Sequence, residues 1–430
     1  MEVLCVEPGT NERRRAEELI LEVQRRAFRY FWERANAQTG LVDDRASNFG
    51  HERENAASIA ATGYALASLP VAVEHSWVKR SDAIERASLT LRFVLGMPNE
   101  RGWLVHWVDG ASGARVWASE YSSIDTGLLL AGALACGEFF SKDAPDILGL
   151  AEALYERIDW WWMLTNGGTQ PDKRILAQGW KPEIGFIPNN YDSYDESILL
   201  YLLGMGAPAK PLPASCWTAT IRKMQNYNGI ESLRSAGPIF IHQMPSGFYY
   251  LRDQRDVLGW DYWVSSTNAM WIDARFCRDR AGHRKTYAEG FWGLNASDGP
   301  SGYRAYGSPD GPEDGTVSPT GAISAITFVP GLAFSAAIRL HDRLRERLWG
   351  TYGFSNAFNL DADYFDPDVI GIDLGMVLIA IENRRSGLIW KLIASHPSTQ
   401  RALAAAGLWH TLEPPPRQLL ANDSRLAGTS

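Results

Sequence analysis

Apolar residues recur along most of this chain at the three-to-four-residue spacing of helices, and in three stretches polar residues drop out almost entirely. The periodicity predicts helices over roughly 14–36, 55–74, 79–97, 122–141, 145–164, 195–205, 213–226, 264–280, 320–345, 373–391 and 397–407. Strand signals are few: Gly102–Asp109, a Gly-Ala-Ser-Gly turn and Ala114–Trp117 read as a hairpin projecting from a loop. The three wholly apolar stretches follow Asp125, Glu196 and Asp373. A helix that is apolar all round must be buried on all sides. Three such helices, each entered through a carboxylate, imply an inner ring that delivers acids to one cleft. With no internal linker, the pattern fits a single all-α domain of six outer and six inner helices, an (α/α)6 barrel, over residues 14–411. Residues 1–13 read as a flexible N-terminal segment, and 412–430, opening on Pro414-Pro415-Pro416, as a C-terminal tail.

Composition sharpens the chemistry. The chain has 17 Trp beside 16 Tyr and 16 Phe, and Trp is seldom needed in such number for packing alone. Many of them, including Trp103, Trp107, Trp117, Trp180 and Trp292, fall in Gly-, Asn- or Asp-bearing segments. Aromatic loops around carboxylates are the equipment of a carbohydrate-active enzyme, because sugars offer flat C–H faces to stack on and hydroxyls to bind. The irregular stretch 283–319 carries Trp292, Asp298, Tyr303 and Tyr306. A loop of that length is expected to be functional, and we place it over the cleft. His106 and His242 are further candidates for sugar hydroxyls.

Other classes are disfavoured. A net charge of −8 argues against a nucleic-acid partner. No run of 18 apolar residues is present, so no membrane span is expected. The N-terminus lacks an export signal, so the chain as written is expected in the cytoplasm, or in the periplasm or medium if a leader has been trimmed. A monomer is expected. Cys5, Cys136, Cys216 and Cys277 have neither metal-ligand nor framework spacing. The Asp-rich run 361–368 lacks the Gly and closing Glu of a calcium loop and reads as a polar turn. No zinc, nucleophile-elbow or phosphate-loop motif occurs, so no metal or cofactor is expected.

The acids themselves have a structural reading, since Asp125, Asp195 and Asp373 all stand where a helix N-cap would. The helix dipole favours the charged form there and suits a general base. A general acid needs its pKa raised, which Tyr194, Trp180 and Asp195 could supply for Glu196.

Several motifs then follow in order: Phe28-Arg-Tyr-Phe-Trp-Glu33, Thr39-Gly-Leu-Val-Asp-Asp-Arg45, Ala57-Ser-Ile-Ala-Ala-Thr-Gly-Tyr64, Ser122-Ser-Ile-Asp-Thr-Gly-Leu-Leu-Leu130, Gly179-Trp-Lys-Pro182, Tyr194-Asp-Glu-Ser-Ile-Leu-Leu-Tyr201, Trp292-Gly-Leu-Asn-Ala-Ser-Asp-Gly-Pro300, Trp349-Gly-Thr-Tyr-Gly-Phe354, and Gly371-Ile-Asp-Leu-Gly375 with Ile381-Glu-Asn383. Together they resemble the bacterial glycoamylase-like proteins, whose characterised members are β-1,2-glucanases of glycoside hydrolase family 144. The resemblance implies an (α/α)6 barrel, inverting hydrolysis of β-1,2-glucan, and essential acids at Asp125, Glu196 and Asp373. On this reading the enzyme is endo-acting, with Glu196 as general acid, Asp373 as general base and Asp125 holding a sugar hydroxyl. Arg45, Trp117, Trp180, Tyr194, His242, Trp292, Asp298, Tyr303 and Tyr306 are the expected subsite residues. Leu374 and Met376 depart from the family's pattern, where Gln and Pro are usual. The alternatives are exo release of sophorose or glucose, a retaining transglycosylase, and an inactive glucan-binding protein on the same fold.

Overall fold

The computed structural model describes residues 10–50, 56–165 and 174–408. In chain order the helices are α1 (Thr10–Glu33), α2 (Ile59–Glu74), α3 (Arg80–Gly96), α4 (Ser123–Phe140), α5 (Pro145–Glu156), α6 (Ile198–Gly206), α7 (Ser215–Ala219), α8 (Phe240–Phe248), α9 (Tyr262–Asp279), α10 (Lys285–Ala288), α11 (Pro319–Ser324), α12 (Pro330–Leu348), α13 (Gly371–Ser386), α14 (Leu388–Ser395) and α15 (Pro397–Ala406). Helices α2, α4, α6, α8, α11 and α13 are buried along nearly their whole length, as an all-apolar helix requires. Each has an outer partner, in the order α3, α5, α15, α9, α12 and α1. The ring closes where α13 packs against both α1 and α2. The expected (α/α)6 barrel is the fold. Helix α4 is long and apolar enough to cross a membrane, but it is packed inside the barrel.

Short strands at the mouths of the inner helices fix where their first turns point. Ala57–Ser58, before α2, pairs with Val42–Asp43 and with Trp107–Val108. Tyr121–Ser122, before α4, pairs with Gly179–Lys181, and Asp368–Ile370, before α13, pairs with Arg45–Ser47. This collar draws remote loops to one end of the barrel. The expected hairpin at 102–117 is present in reduced form, with Val108 bridged to Arg115.

The differences from the periodicity have local causes. The stretch 320–345 divides into α11, a 3-10 turn and α12, because Pro330 opens a new helix and disfavours helical backbone in Val329 before it. The stretch 373–391 divides at Gly387, which takes the left-handed cap conformation at φ 67°. Helix α7 ends early, and Met224–Tyr227 instead pairs with Ile230–Leu233 around Asn228-Gly229, both at positive φ, a hairpin signal present in the sequence. Helix α8 escaped the periodicity because Pro245 and Gly247 disguise it as a loop. Helix α1 starts at Thr10, four residues before the expected boundary, while positions 1–9 and the tail 409–430 lie outside the described residues.

Candidate active site

The three acids stand at the mouths of inner helices, but none is the cap. Ser122 caps α4, its Oγ accepting from Asp125 N at 3.3 Å, and it also donates to the Asp125 carboxylate. Ile370 precedes α13 without any side-chain cap, and Asp373 Oδ2 accepts from Asn356 Nδ2 at 2.6 Å. Asp125 and Asp373 are thus both third residues of their helices, held by side chains from outside the helix dipole's first groups. Asp195 Oδ1 accepts from Ser197 N at 2.9 Å, closing a turn ahead of α6. That leaves the Glu196 carboxyl without a capping duty.

One polar chain joins these mouths. From Asp373 it runs through Asn356, whose Oδ1 accepts from Asp298 N at 3.0 Å, to the Asp298 carboxylate, which takes Arg45 Nη1 at 2.8 Å. Arg45 Nε continues to Asp44 at 3.4 Å, and Asp44 accepts from Trp107 Nε1 at 3.1 Å. The Trp107 ring stacks on His106, ring centroids 3.6 Å apart. His106 Nδ1 meets Glu120 at 2.9 Å, and its Nε2 lies 3.5 Å from Asp125. Charge on Asp125 is felt in turn by Glu196. The pairing of Ile370 with Arg45 is what brings the two ends of this chain together.

Burial dominates the titration of the acids. It pushes Glu196 up to about 7, with the charge of Asp125 adding and a backbone hydrogen bond opposing. Asp195 is pushed up by burial and then by the charge of Glu196. Burial lifts Asp373 to about 8, helped by Asp298 and opposed by the Asn356 amide. Asp125 is raised by burial, against the pull of His106 and Ser122. The lowered pKa expected from the helix dipole is therefore reversed: removing a carboxylate from water costs several kcal/mol, whereas a dipole returns about 0.3 to 2. Burial alone would lower His106, but Asp125 and Glu120 hold it up at about 9. His106 is thus an imidazolium at neutral pH.

The expected subsite residues separate into two groups. Arg45 and Asp298 are links of the polar chain, and Tyr303, more than half exposed, lies within electrostatic reach of Asp373, Asp44 and Asp298. Trp117 is 69% exposed, edge-on to Trp107 at 5.7 Å. Trp180 pairs with Tyr121 four residues before Asp125. The rest are corrections. Tyr194 and His242 are buried and bonded to each other at 2.9 Å, so neither offers its polar atom to a cleft. Trp292 is buried and lines a separate cavity of about 730 Å3 beside Arg278, Leu332 and Arg339, between α9 and α12. Tyr306 is buried with its hydroxyl on Asp314 at 3.1 Å. Only the tip of 283–319, the turn between strands Ala296–Ser297 and Arg304–Ala305, reaches the acids.

Sequence reasoning missed Asp44, Trp107, Glu120 and Asn356 as members of the site. Asp44 could have been found from its place beside Arg45. Asn356 had no local signal, yet its amide donates to Asp373. The buried hydroxyl of Tyr64, without a hydrogen-bond partner, also senses Asp373.

Comparison with known proteins agrees with this architecture. Residues 188–397 match the Glycoamylase family model, described as "Putative glucoamylase". An exo β-1,2-glucooligosaccharide sophorohydrolase (non-reducing end) of Parabacteroides distasonis is 25% identical over 90% of this chain. The chain spans 57% of that relative's length. A glucoamylase-described protein of Bacteroides uniformis superposes with a TM-score of 0.85 at 29% identity, covering 92% of this chain and 98% of the other. The endo-β-1,2-glucanase of Chitinophaga pinensis, in complex with sophorotriose and glucose, shares the fold at a TM-score of 0.85 and 23% identity, over 92% and 99% of the two chains. In sequence and in fold the chain is similar to the glycoamylase-like family, as its ordered motifs led us to expect.

Proposed function

We propose that the protein is a glycoside hydrolase acting on β-1,2-glucan or its oligosaccharides, with Glu196 as general acid and Asp373 as general base. The observation that carries the reading is the placement of Glu196, Asp125 and Asp373 at the mouths of three inner helices, with Asp373 held by Asn356, Asp125 beside His106, and Glu196 and Asp373 both raised by burial. A carboxyl raised in this way keeps its proton near neutrality, which the general acid must deliver to the leaving oxygen, while the base takes a proton from the attacking water. The Asn356 amide and Arg45 pull Asp373 toward the carboxylate a base needs, against burial and Asp298, which hold it up at about 8, so the base form fills in as pH rises through that value. Asp125 holds a sugar hydroxyl with His106 behind it. Arg45, Trp117, Trp180, Asp298 and Tyr303 shape the subsites.

We take attack to be endo and inverting. A second reading, exo release of sophorose, is favoured by the activity named for the Parabacteroides distasonis relative. Product chromatography on linkage-defined glucans separates the two: mixed oligomers early mean endo attack, a single product exo attack. Glu196→Gln and Asp373→Asn should each lower turnover by about 10² to 10⁴ while the melting temperature and glucan binding hold. A loss under tenfold removes that residue from its role, and NMR of the first-formed anomer decides the stereochemistry.

A further inference from the structure

Away from the acids, an open groove of about 490 Å3 is lined by Arg101, Asp159, Trp161, Trp162, Lys210 and Pro211. Its two tryptophans are half-buried and their rings are held: Trp161 Nε1 donates to Pro211 O at 3.2 Å, and the Trp162 ring packs against Trp180 and Phe186 at 5.5 and 5.1 Å between centroids. Rings held this way lose little freedom when a ligand lies on them. Both cations of the groove sit on unusual backbone. Arg101 has φ 52° and Lys210 φ 47°, the left-handed region that side chains other than Gly, Asn and Asp rarely adopt. Such strain collects where a side chain must be aimed at a ligand. Asp159, 3.8 Å from Arg101, adds an acceptor, so cation, anion and indole stand side by side. That mixture suits a neutral, many-hydroxyl ligand with flat faces better than a purely anionic or purely apolar one.

The groove is also connected to the cleft. The Trp162 ring lies 5.5 Å from Trp180, and Trp180 lies 5.8 Å from Tyr121. Tyr121 belongs to the strand that runs directly into α4 and Asp125. Aromatic rings therefore follow one another from the groove to the mouth of α4.

We propose that this groove is a distal subsite that holds the far end of a glucan chain whose reacting bond lies at the acids. The proposal rests on the glucan-hydrolase reading and deepens it: it makes the protein selective for long chains. The Trp161 indole is bonded to Pro211 and lies under Arg174, away from Trp180, so Trp161→Ala tests the groove without disturbing the acids. Lys210→Gly is the second variant, because Gly accepts the same φ while removing the ammonium.

The measurement is kcat/KM on long β-1,2-glucan and on short β-1,2-linked oligosaccharides, together with retardation of each protein in gels containing the polymer. Trp161→Ala should lower kcat/KM on the polymer by about tenfold, the scale of one lost stacking contact. It should leave the short substrates and the melting temperature unchanged, with Lys210→Gly giving a smaller loss in the same direction. An equal loss on both substrates, or no loss on either, overturns the proposal. If the parent protein cleaves no β-1,2-glucan, the hydrolase reading falls. Trp161-dependent retardation would then still sustain the groove, and its absence would sink both.

Discussion

Replacing Asp298 by Asn isolates one charge among the groups that raise Asp373. Asp298 is the largest contributor after burial, and its removal also frees Arg45 to favour the carboxylate. The limb of the kcat/KM profile governed by Asp373 should therefore move to lower pH by about one unit, roughly 1.4 kcal/mol. An unmoved limb would mean that another group sets it. Glu382 makes the opposite case. It is fully buried, and hydrogen bonds from His75 at 3.0 Å, Arg385 at 2.7 Å and Ser386 outweigh burial and hold it down at about 2. Its folded value lies below the ordinary 4.5, so its stabilisation is present above about pH 4.5 and is lost as pH falls toward 2. Glu382→Gln should cost about 3 kcal/mol in urea unfolding at pH 7 and much less at pH 3. The sequence showed Ile381-Glu-Asn383 only as part of a motif. Its role, tying α13 through Gln24 to α1 and through Asn383 to α8, depends on partners that no local pattern reveals. Asp125, Glu196 and Asp373 were legible because each breaks an otherwise apolar run. Tyr194, His242 and Tyr306 looked equally functional because a buried polar ring and a sugar-binding ring have the same sequence signature.

At the scale of elements, α2 and α4 meet backbone to backbone. A Cβ added at Gly132 would come 1.9 Å from Gly63 O, and one at Gly63 would come 2.5 Å from Leu128 O. The crossing leaves no room for a methyl group, so the first turns of both helices are set to within a fraction of an ångström. Gly132→Ala should destabilise by about 2 kcal/mol or more, overpacking outweighing the roughly 1 kcal/mol that Ala gains in helix propensity. Denaturant melting checks it. A neutral or stabilising result would mean that the pair can separate without harm. Long outer helices were the easiest elements to read, since one solvated face leaves a clean period. Inner helices were legible only where uninterrupted: α4, α6 and α13 announced themselves, whereas α8 and α11 are short and their Gly and Pro residues serve close packing rather than turns. Gln243, from α8, donates to Gly321 O of α11 at 2.9 Å and joins the helix that sequence alone missed to the one that it merged with α12.

Across the whole molecule, the mouths of the inner helices gather Asp44, Glu120, Asp125, Asp195, Glu196, Asp298 and Asp373 against Arg45 and His106, within a chain of net charge −8. An acidic cleft attracts cations, and His106, Glu120 and Asp125 bring three donor atoms within 4.8 Å of one another. Without a metal, Asp125 and Glu120 hold His106 as an imidazolium through both ring nitrogens, so a cation binding there would have to displace its proton. Treatment with EDTA should leave activity intact, and millimolar Mg2+ or Ca2+ should change it by less than about twofold. A chelator-sensitive, cation-restored activity would overturn that assignment. The ring's existence was legible from the count and apolarity of its helices. Its order around the barrel was not, because the neighbours that close it lie at opposite ends of the chain. That closure has a consequence for biogenesis. On the ribosome, α1 and α2 emerge well before the helix that covers both, α13, which is made about 300 residues later. At about 5 to 20 residues per second, the earliest segments wait tens of seconds with an apolar flank exposed. Asp44 and Arg45 wait as long for the strand that carries them to Asp373. Nascent chains released before α13 should therefore be catalytically silent and the natural clients of chaperones, so that activity arrives in a single step once α13 has been made.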